Sequence, residues 1–377
     1  MSVLTLEKFS IFNDKKIEKN FEYIPLRDPL EVADLPIRLG THLRKLDDIK
    51  KLENLPINII EIKPEQFSSS EKLFLWNKDT KRFEKNERNL EKLFEFIKKK
   101  KIFLQVHLPD KFDAKDKSYI NLSPGENQDH KILFQCFELL EDIRRECNPS
   151  NELIVTVHPP YSILKYKFKE ILEKYKLENI ENHLEIPLEK KKEIEKEFLL
   201  NANKFFIELG NMIQDKGWNI KIGVENQAHS SKDSWNVGNK ISDFEILMQN
   251  TPDSIQLTFD TGHSLLSRDE QEEKILRFRE FTEFAKTYKK YLVNYHFHEN
   301  DSWTNDPEKQ SYKADLHRPP TDKIIPGFKN YHLFRCVNEK VPATLEISLS
   351  KIKPPELLLL TTELKKDLEK LSTKANL

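Results

Sequence analysis

The chain has 377 residues and carries 62 lysines and arginines against 63 aspartates and glutamates, a formal net charge of −1. This balance excludes nucleic-acid binding through a bulk positive charge. The 37% share of hydrophobic residues is enough to build a large buried core. The length suits one α/β barrel, which needs roughly 250 residues or more, as well as two or three smaller domains.

The cysteines and the apolar segments indicate the cellular compartment. Cys136 and Cys147 lie on one predicted helix, about 16 Å apart along its axis, which is too far for a disulfide. Together with Cys336 they are expected to be free thiols, as is usual in a cytoplasmic protein. Residues 1–8 have no apolar signal segment, and the longest apolar run, Leu357–Leu360, is too short to span a membrane. We therefore expect a cytoplasmic protein without membrane partners.

Short β-branched segments alternate with longer helical segments along the chain. The predicted strands are Ile37–His42, Ile57–Lys63, Ile102–His107, Leu153–His158, Ile220–Glu225, Ile255–Asp260, Leu292–His298 and Ala343–Ile347. Helical periodicity predicts helices at about 86–100, 124–147, 189–217, 240–250, 268–288, 328–338 and 355–371. Eight nearly continuous apolar strands that alternate with helices predict a parallel sheet buried on both faces. The expected fold is a (β/α)8 TIM barrel.

The same pattern sets the predicted domain organisation. Residues 1–35 precede the first strand and are predicted to be an N-terminal extension. Residues 36–372 form the single barrel in this interpretation. A charged insertion at about 162–192 separates strand four from helix four.

Most of the predicted strands end in residues that bind metals. Because the carboxyl ends of the strands meet at one mouth of a barrel, we expect their side chains to share one cavity. Imidazoles mixed with carboxylates suit Zn²⁺, with Mn²⁺ and Fe²⁺ as competitors. The candidate ligands are His107, His158, Glu225, Asp260, His263, His298, Asp315, His317 and Glu346.

One strand carries two candidate histidines. His296 and His298 are two residues apart, so they share one face of the strand, and either could be the ligand. A histidine without such a setting is more often a hydrogen-bonded structural residue. We therefore expect structural roles for His42, His130, His183, His229 and His332.

The ligand series resembles a known family. Its order is similar to the nine-ligand trinuclear zinc pattern of the endonuclease IV family (AP endonuclease family 2), within the xylose-isomerase-like TIM-barrel superfamily. Four segments resemble motifs of that family, and the last of them favours His298 over His296 as the ligand. They are Leu39–His42, Tyr119–Pro124, Asp260–His263 and His298–Ser302.

The resemblance implies a ligand arrangement and an activity. His107 and His158 would bind one zinc ion, and Asp260, His298 and Glu346 a second, with Glu225 bridging the two. His263, Asp315 and His317 would bind the third. The implied function is that of a zinc-dependent phosphodiesterase, which hydrolyses the backbone at abasic or damaged DNA sites through a metal-bridging hydroxide.

The superfamily also offers a second enzymatic interpretation. A sugar or sugar-phosphate isomerase or epimerase would need one ion, Mn²⁺ or Mg²⁺ as well as Zn²⁺, held by Glu225, Asp260, His298 and Glu346. Glu225 and Glu346 would then be the catalytic carboxylates that move a proton. The partner would be a phosphorylated small molecule rather than damaged DNA, and no obligate protein partner is evident. A barrel that binds metal without catalysis is a third interpretation.

Overall fold

The computed structural model describes most of the chain from Arg38 to Ala375. The described residues are 38–63, 71–108, 111–113, 119–121, 130–159, 165–181, 183–228, 235–264, 283–284, 286–300, 317–321, 327–347, 349 and 352–375. The predicted N-terminal extension lies outside them, as does most of the predicted helix at 268–288. The division into an extension and one barrel therefore stays a prediction.

Eight parallel strands close into a barrel in which each strand pairs with its neighbours along the chain. The first and the last strand pair with each other and complete the circle. The strands are β1 Leu39–Leu43, β2 Ile59–Ile62, β3 Phe103–His107, β4 Leu153–Val157, β5 Ile220–Glu225, β6 Ile255–Asp260, β7 Leu292–Phe297 and β8 Ala343–Leu345. Each boundary lies within two residues of the predicted one, so the (β/α)8 TIM barrel is confirmed.

Helices follow the barrel strands in the described part of the chain. They are α1 Ile49–Leu52, α2 Glu87–Lys100, α3 His130–Cys147, α4 Lys165–Tyr175, α5 Leu188–Asp215, α6 Ile241–Leu247, α7 Thr261–Ser264, α8 Phe328–Glu339 and α9 Pro354–Ala375. The predicted charged insertion contains α4, whose Ile171 packs with Ile186, Ile194 and Trp235 in a small second core. Two hairpins, Phe74–Asn77 with Arg82–Lys85 and Lys111–Asp113 with Tyr119–Asn121, lie outside the barrel.

The strands are buried on both faces, which explains their nearly continuous apolar sequences. The barrel interior nevertheless contains polar side chains close to the mouth. Thr344 on β8 lies within hydrogen-bond distance of Gln105 and Asn294, at 3.0 and 3.1 Å. Asn294 in turn approaches Glu61 at the end of β2. A polar layer therefore underlies the cavity where the strands end.

Two features concern the cysteines and the apolar character of the helices. Cys136, Cys147 and Cys336 are buried and form no disulfide. Among the described helices, none combines the length and the apolar character that crossing a membrane requires.

A buried histidine on α8 predicts an acid-sensitive fold. Burial, together with the nearby Arg335, lowers the pKa of the His332 imidazole from 6.5 to about 3. The unfolded chain takes up this proton below pH 6.5 whereas the folded chain stays neutral, so stability falls as the pH falls. Between pH 6.5 and 5 we expect a loss of about 1.5 kcal/mol in the free energy of unfolding from this residue.

Urea unfolding at a series of pH values measures this effect. In His332→Phe, which keeps a ring beside Phe328 and Tyr331, that part of the pH dependence should disappear. Identical pH profiles for the wild type and the variant would contradict the assignment.

Candidate metal centre

Four side chains from four neighbouring strand ends meet at the carboxyl mouth of the barrel. Their ligand atoms lie within 4.8 Å of one another, and all four side chains are buried. We call this set the carboxylate–histidine quartet: Glu225 at the end of β5, Asp260 at the end of β6, His296 on β7 and Glu346 after β8.

His296 is the centre of the quartet. Its Nδ1 lies 2.7 Å from Glu225 Oε1 and 3.1 Å from Glu346 Oε2. The same nitrogen is 3.8 Å from Asp260 Oδ2. The sequence left open whether His296 or His298 is the ligand, and the motif resemblance favoured His298. The structure places both at the mouth, with His296 against the carboxylates of the quartet.

Two further histidines contact the other oxygen of Glu225. The Nε2 atoms of His107 and His158 each lie 3.0 Å from Glu225 Oε2. Their rings meet edge to face, with centroids 4.7 Å apart. The structure therefore brings together the three residues that the family resemblance placed around one ion.

A second group of imidazoles lies beside the quartet. We call this group the histidine trio; it consists of His263, His298 and His317. Their ring nitrogens lie within 4.8 Å of one another. His298 Nε2 is 3.0 Å from Asp260 Oδ2 and His317 Nε2 is 3.2 Å from Glu346 Oε1, so the trio adjoins the quartet on two sides. Asp315, the predicted partner of His263 and His317, lies outside the described residues.

The turn after β6 holds this arrangement together. The backbone N–H of His263 donates to Asp260 Oδ1 at 2.5 Å. Asn226, which follows β5, accepts from the Asp260 N–H at 2.7 Å and donates to the Asp260 carbonyl at 3.0 Å. Thr261 Oγ1 donates to the His298 carbonyl and accepts from the His298 N–H, so β6 and β7 are tied at the mouth.

Gly262 has no side chain and so leaves room for the ring of His298. We therefore expect a methyl group added at position 262 to affect both stability and ion binding strongly. A Cβ at position 262 would lie 2.0 Å from His298 Cε1 and 2.2 Å from its Nδ1. Because His298 is fully buried, its ring would leave Asp260 to relieve the overlap. We expect Gly262→Ala to lower the free energy of unfolding by about 1–3 kcal/mol and to weaken divalent-ion binding.

Urea unfolding and Mn²⁺ titration check this prediction. Gly217→Ala is the control, because it strains a backbone with φ of +61° but adds a Cβ with nothing within 4 Å. Unchanged ion affinity in Gly262→Ala would show that His298 moves without disturbing the centre.

The sequence missed three residues of this cluster. Glu61 and Lys63 lie at the end of β2, and His42, predicted to be structural, lies on β1 beside them. His42 Nε2 is 2.8 Å from Glu61 Oε1, and the Lys63 ammonium donates to Glu346 Oε1. The missed signal is the charged pair in the otherwise apolar strand sequence Ile59-Ile60-Glu61-Ile62-Lys63. Buried charges of this kind need partners in the barrel interior.

The two glutamates of the quartet are held in the ionised state. Burial by itself would raise the pKa of Glu225, but His296 and His107 hold it well below its usual range. Burial would likewise raise the pKa of Glu346, and here Lys63 and the neighbouring imidazoles hold it well below its usual range.

The remaining members of the quartet shift in the opposite direction. Burial raises the pKa of Asp260 in spite of His263 and His298. Burial would lower the pKa of His296, but its three carboxylate neighbours, Glu61, Glu225 and Glu346, raise it well above its usual value. Without a metal ion, the imidazole of His296 therefore compensates part of the carboxylate charge.

The chemistry of the donor set fits a divalent cation. Glu61, Glu225, Asp260 and Glu346 are each at most 1% exposed. Burying so many carboxylates is costly unless positive charge compensates them, and a divalent ion in the quartet would supply it. Three carboxylates and one imidazole suit Mg²⁺ or Mn²⁺, whereas the histidine trio is more typical of Zn²⁺.

Comparisons by sequence identify no relatives. No protein-family model matches the chain, and no curated protein matches it.

Comparisons by structure find barrels of the same kind. A D-tagatose 3-epimerase-like protein superposes with a TM-score of 0.55 at 17% identity, covering 90% of this chain and 100% of the other. A xylose isomerase-like TIM-barrel protein from Mycobacterium smegmatis, in complex with magnesium, gives 0.51 at 12% identity, covering 89% and 97%. A putative xylose isomerase from Rhodospirillum rubrum gives 0.50 at 12% identity, covering 89% and 99%. At these identities the likeness shows the shared TIM-barrel fold.

Proposed function

We propose that this chain is a divalent-metal-dependent isomerase or epimerase of sugars or sugar phosphates. The observation that carries the proposal is the carboxylate–histidine quartet, buried at the mouth with its ligand atoms within 4.8 Å of one another. Barrels of the same fold include a D-tagatose 3-epimerase-like protein and one in complex with magnesium, which agrees with this chemistry.

The quartet would hold one ion, and its two glutamates would also transfer the proton. A divalent ion there would polarise the carbonyl and hydroxyl oxygens of a sugar and acidify the hydrogen on the adjacent carbon. Glu225 is ionised at neutral pH, because His296 and His107 hold its pKa well below the usual range, and it would accept that hydrogen as a proton. Glu225, protonated in that step, would return the proton in an isomerisation. Glu346, on the third strand beyond β5, approaches from another side of the barrel and, because it is ionised as well, would serve as the base for a hydrogen on that side.

Other side chains of the mouth keep these glutamates in place. His107 and His158 hold Glu225 Oε2, so Glu225 Oε1 remains directed toward the centre of the quartet. Lys63 holds Glu346 Oε1 in the same way, which leaves Glu346 Oε2 facing His296. Each of the two carboxylates therefore has one oxygen held by basic side chains and one oxygen facing the centre of the quartet.

Ion content and hydrogen exchange test the proposal together. Protein purified without added metal or chelator should contain about one equivalent of divalent ion by plasma mass spectrometry. In D₂O, a panel of ketoses and ketose phosphates should gain deuterium at the carbon beside the carbonyl, as followed by NMR. About three equivalents of zinc, no exchange with any sugar and nicking of abasic DNA would overturn the proposal.

A zinc-dependent phosphodiesterase is the second candidate, and the histidine trio favours it. The mouth contains more imidazoles than a single ion uses, namely those of the histidine trio together with His107 and His158. Phosphodiester hydrolysis by several ions would use such a set. Asp315→Ala separates the candidates, because it should abolish only the hydrolysis that depends on a third ion. Sugar exchange that survives this substitution would count against the phosphodiesterase.

A further inference from the structure

Glu61 is a buried carboxylate beside the quartet with no part in the proposed chemistry. It is the penultimate residue of β2 and is fully buried. Its neighbour in the quartet is His296, whose Nε2 lies 3.0 Å from Glu61 Oε1 and 3.1 Å from Glu61 Oε2. Both oxygens therefore approach one ring nitrogen.

The two nitrogens of His296 face different partners. Nδ1 faces Glu225 and Glu346, the members of the quartet, whereas Nε2 faces Glu61. Carboxylates therefore face both nitrogens. An ion bound in the quartet would take the place of the hydrogen on Nδ1, and Glu61 would then hold the single remaining hydrogen on Nε2.

We propose that Glu61 is a positioning residue that prepares His296 to bind the ion through Nδ1. Glu61 accepts the hydrogen bond from Nε2–H and directs the Nδ1 lone pair into the quartet. This inference rests on the proposed function, since it assumes that the quartet holds a divalent ion. Carboxylates placed behind ligating histidines raise ligand basicity and fix ring orientation.

Glu61 is itself held on two sides. His42 is its register partner on β1, and His42 Nε2 lies 2.8 Å from Glu61 Oε1. Asn294 Nδ2 donates to Glu61 Oε2 at 3.4 Å, and Thr344 donates in turn to Asn294 Oδ1. Because this chain of contacts fixes the carboxylate, the ring of His296 has one favoured orientation.

Mn²⁺ affinity of the whole chain tests this role. We expect Glu61→Gln, which keeps the size but removes the charge, to raise the dissociation constant for Mn²⁺ about 10- to 100-fold. Glu141→Gln is the matched control, because Glu141 is equally buried but pairs with Arg144 and Arg145 on the outside of the barrel. Its dissociation constant should stay within about twofold of the wild-type value.

The outcomes separate this inference from the function on which it rests. Equal Mn²⁺ affinity in Glu61→Gln and the wild type would overturn the positioning role alone. A wild-type protein without Mn²⁺ binding, or unchanged binding in Glu225→Gln, would overturn the metal centre itself. Equal losses in Glu61→Gln and Glu141→Gln would assign the effect to general destabilisation and would also overturn the positioning role.

A measurement on the wild-type chain covers the case in which Glu61→Gln does not fold. Long-range ¹H–¹⁵N spectra of the Mg²⁺-loaded protein should show His296 with a protonated Nε2 and an unprotonated Nδ1. The signals are assigned by their absence in His296→Gln. A protonated Nδ1 with an unprotonated Nε2 would contradict the proposed orientation.

Discussion

Glu225→Gln is expected to reduce turnover by roughly a thousandfold, the largest effect of any single substitution considered. Glutamine cannot take up a proton at neutral pH, and its neutral side chain removes one negative ligand from the quartet. The substitution keeps the size of the side chain, so the barrel should still fold, as circular dichroism can verify. Deuterium incorporation into the sugar substrate measures the loss.

Glu141→Gln provides the comparison, because it removes a carboxylate of similar burial from α3. That variant should exchange hydrogen at the wild-type rate. Turnover of Glu225→Gln within tenfold of the wild type would show that the quartet is not the catalytic centre.

Removal of the divalent ion should both stop turnover and weaken the fold. An ion in the quartet would bind only the folded chain, because the four members of the quartet come together only when the barrel closes. At a free ion concentration 100 times the dissociation constant, we expect the free energy of unfolding to rise by about 2.7 kcal/mol. Urea unfolding in EDTA and in Mn²⁺ measures this difference, and added Mn²⁺ should restore turnover.

The same titration in Glu225→Gln identifies the site responsible. Its unfolding should respond much less to Mn²⁺, since one ligand is lost. A wild-type chain that unfolds at the same urea concentration in EDTA and in Mn²⁺ would argue against an ion in the quartet.

The barrel could be predicted because its strands are buried on both faces. Burial on both sides makes a strand such as Leu153–Val157 a continuous apolar run, which is easily recognised in a sequence. Helical periodicity does not reveal α4, because α4 lies in a segment rich in lysine and glutamate. Its apolar residues pack against a small core that includes Trp235, about 60 residues away in the chain.

The metal centre could be predicted where a ligand ends its strand or directly follows it. His107, Glu225 and Asp260 are the last residues of β3, β5 and β6, so the barrel geometry alone brings them to the mouth. Glu61 precedes the last residue of β2, and its apolar neighbours Ile60 and Ile62 make it look like part of an apolar strand. Whether His296 or His298 faces the carboxylates depends on side-chain contacts, because two-residue periodicity places both on one face.

The three buried thiols make the chain suitable for kinetic labelling. Cys136 and Cys147 lie at 5% exposure on α3, and Cys336 is fully buried on α8, so a thiol reagent reaches them only when these helices open. The labelling rate of each cysteine therefore reports the opening of its own part of the barrel. A ligand that stabilises the whole barrel would slow the labelling of all three cysteines. A ligand that stabilises one region would slow the labelling only of the cysteines on the helix in that region.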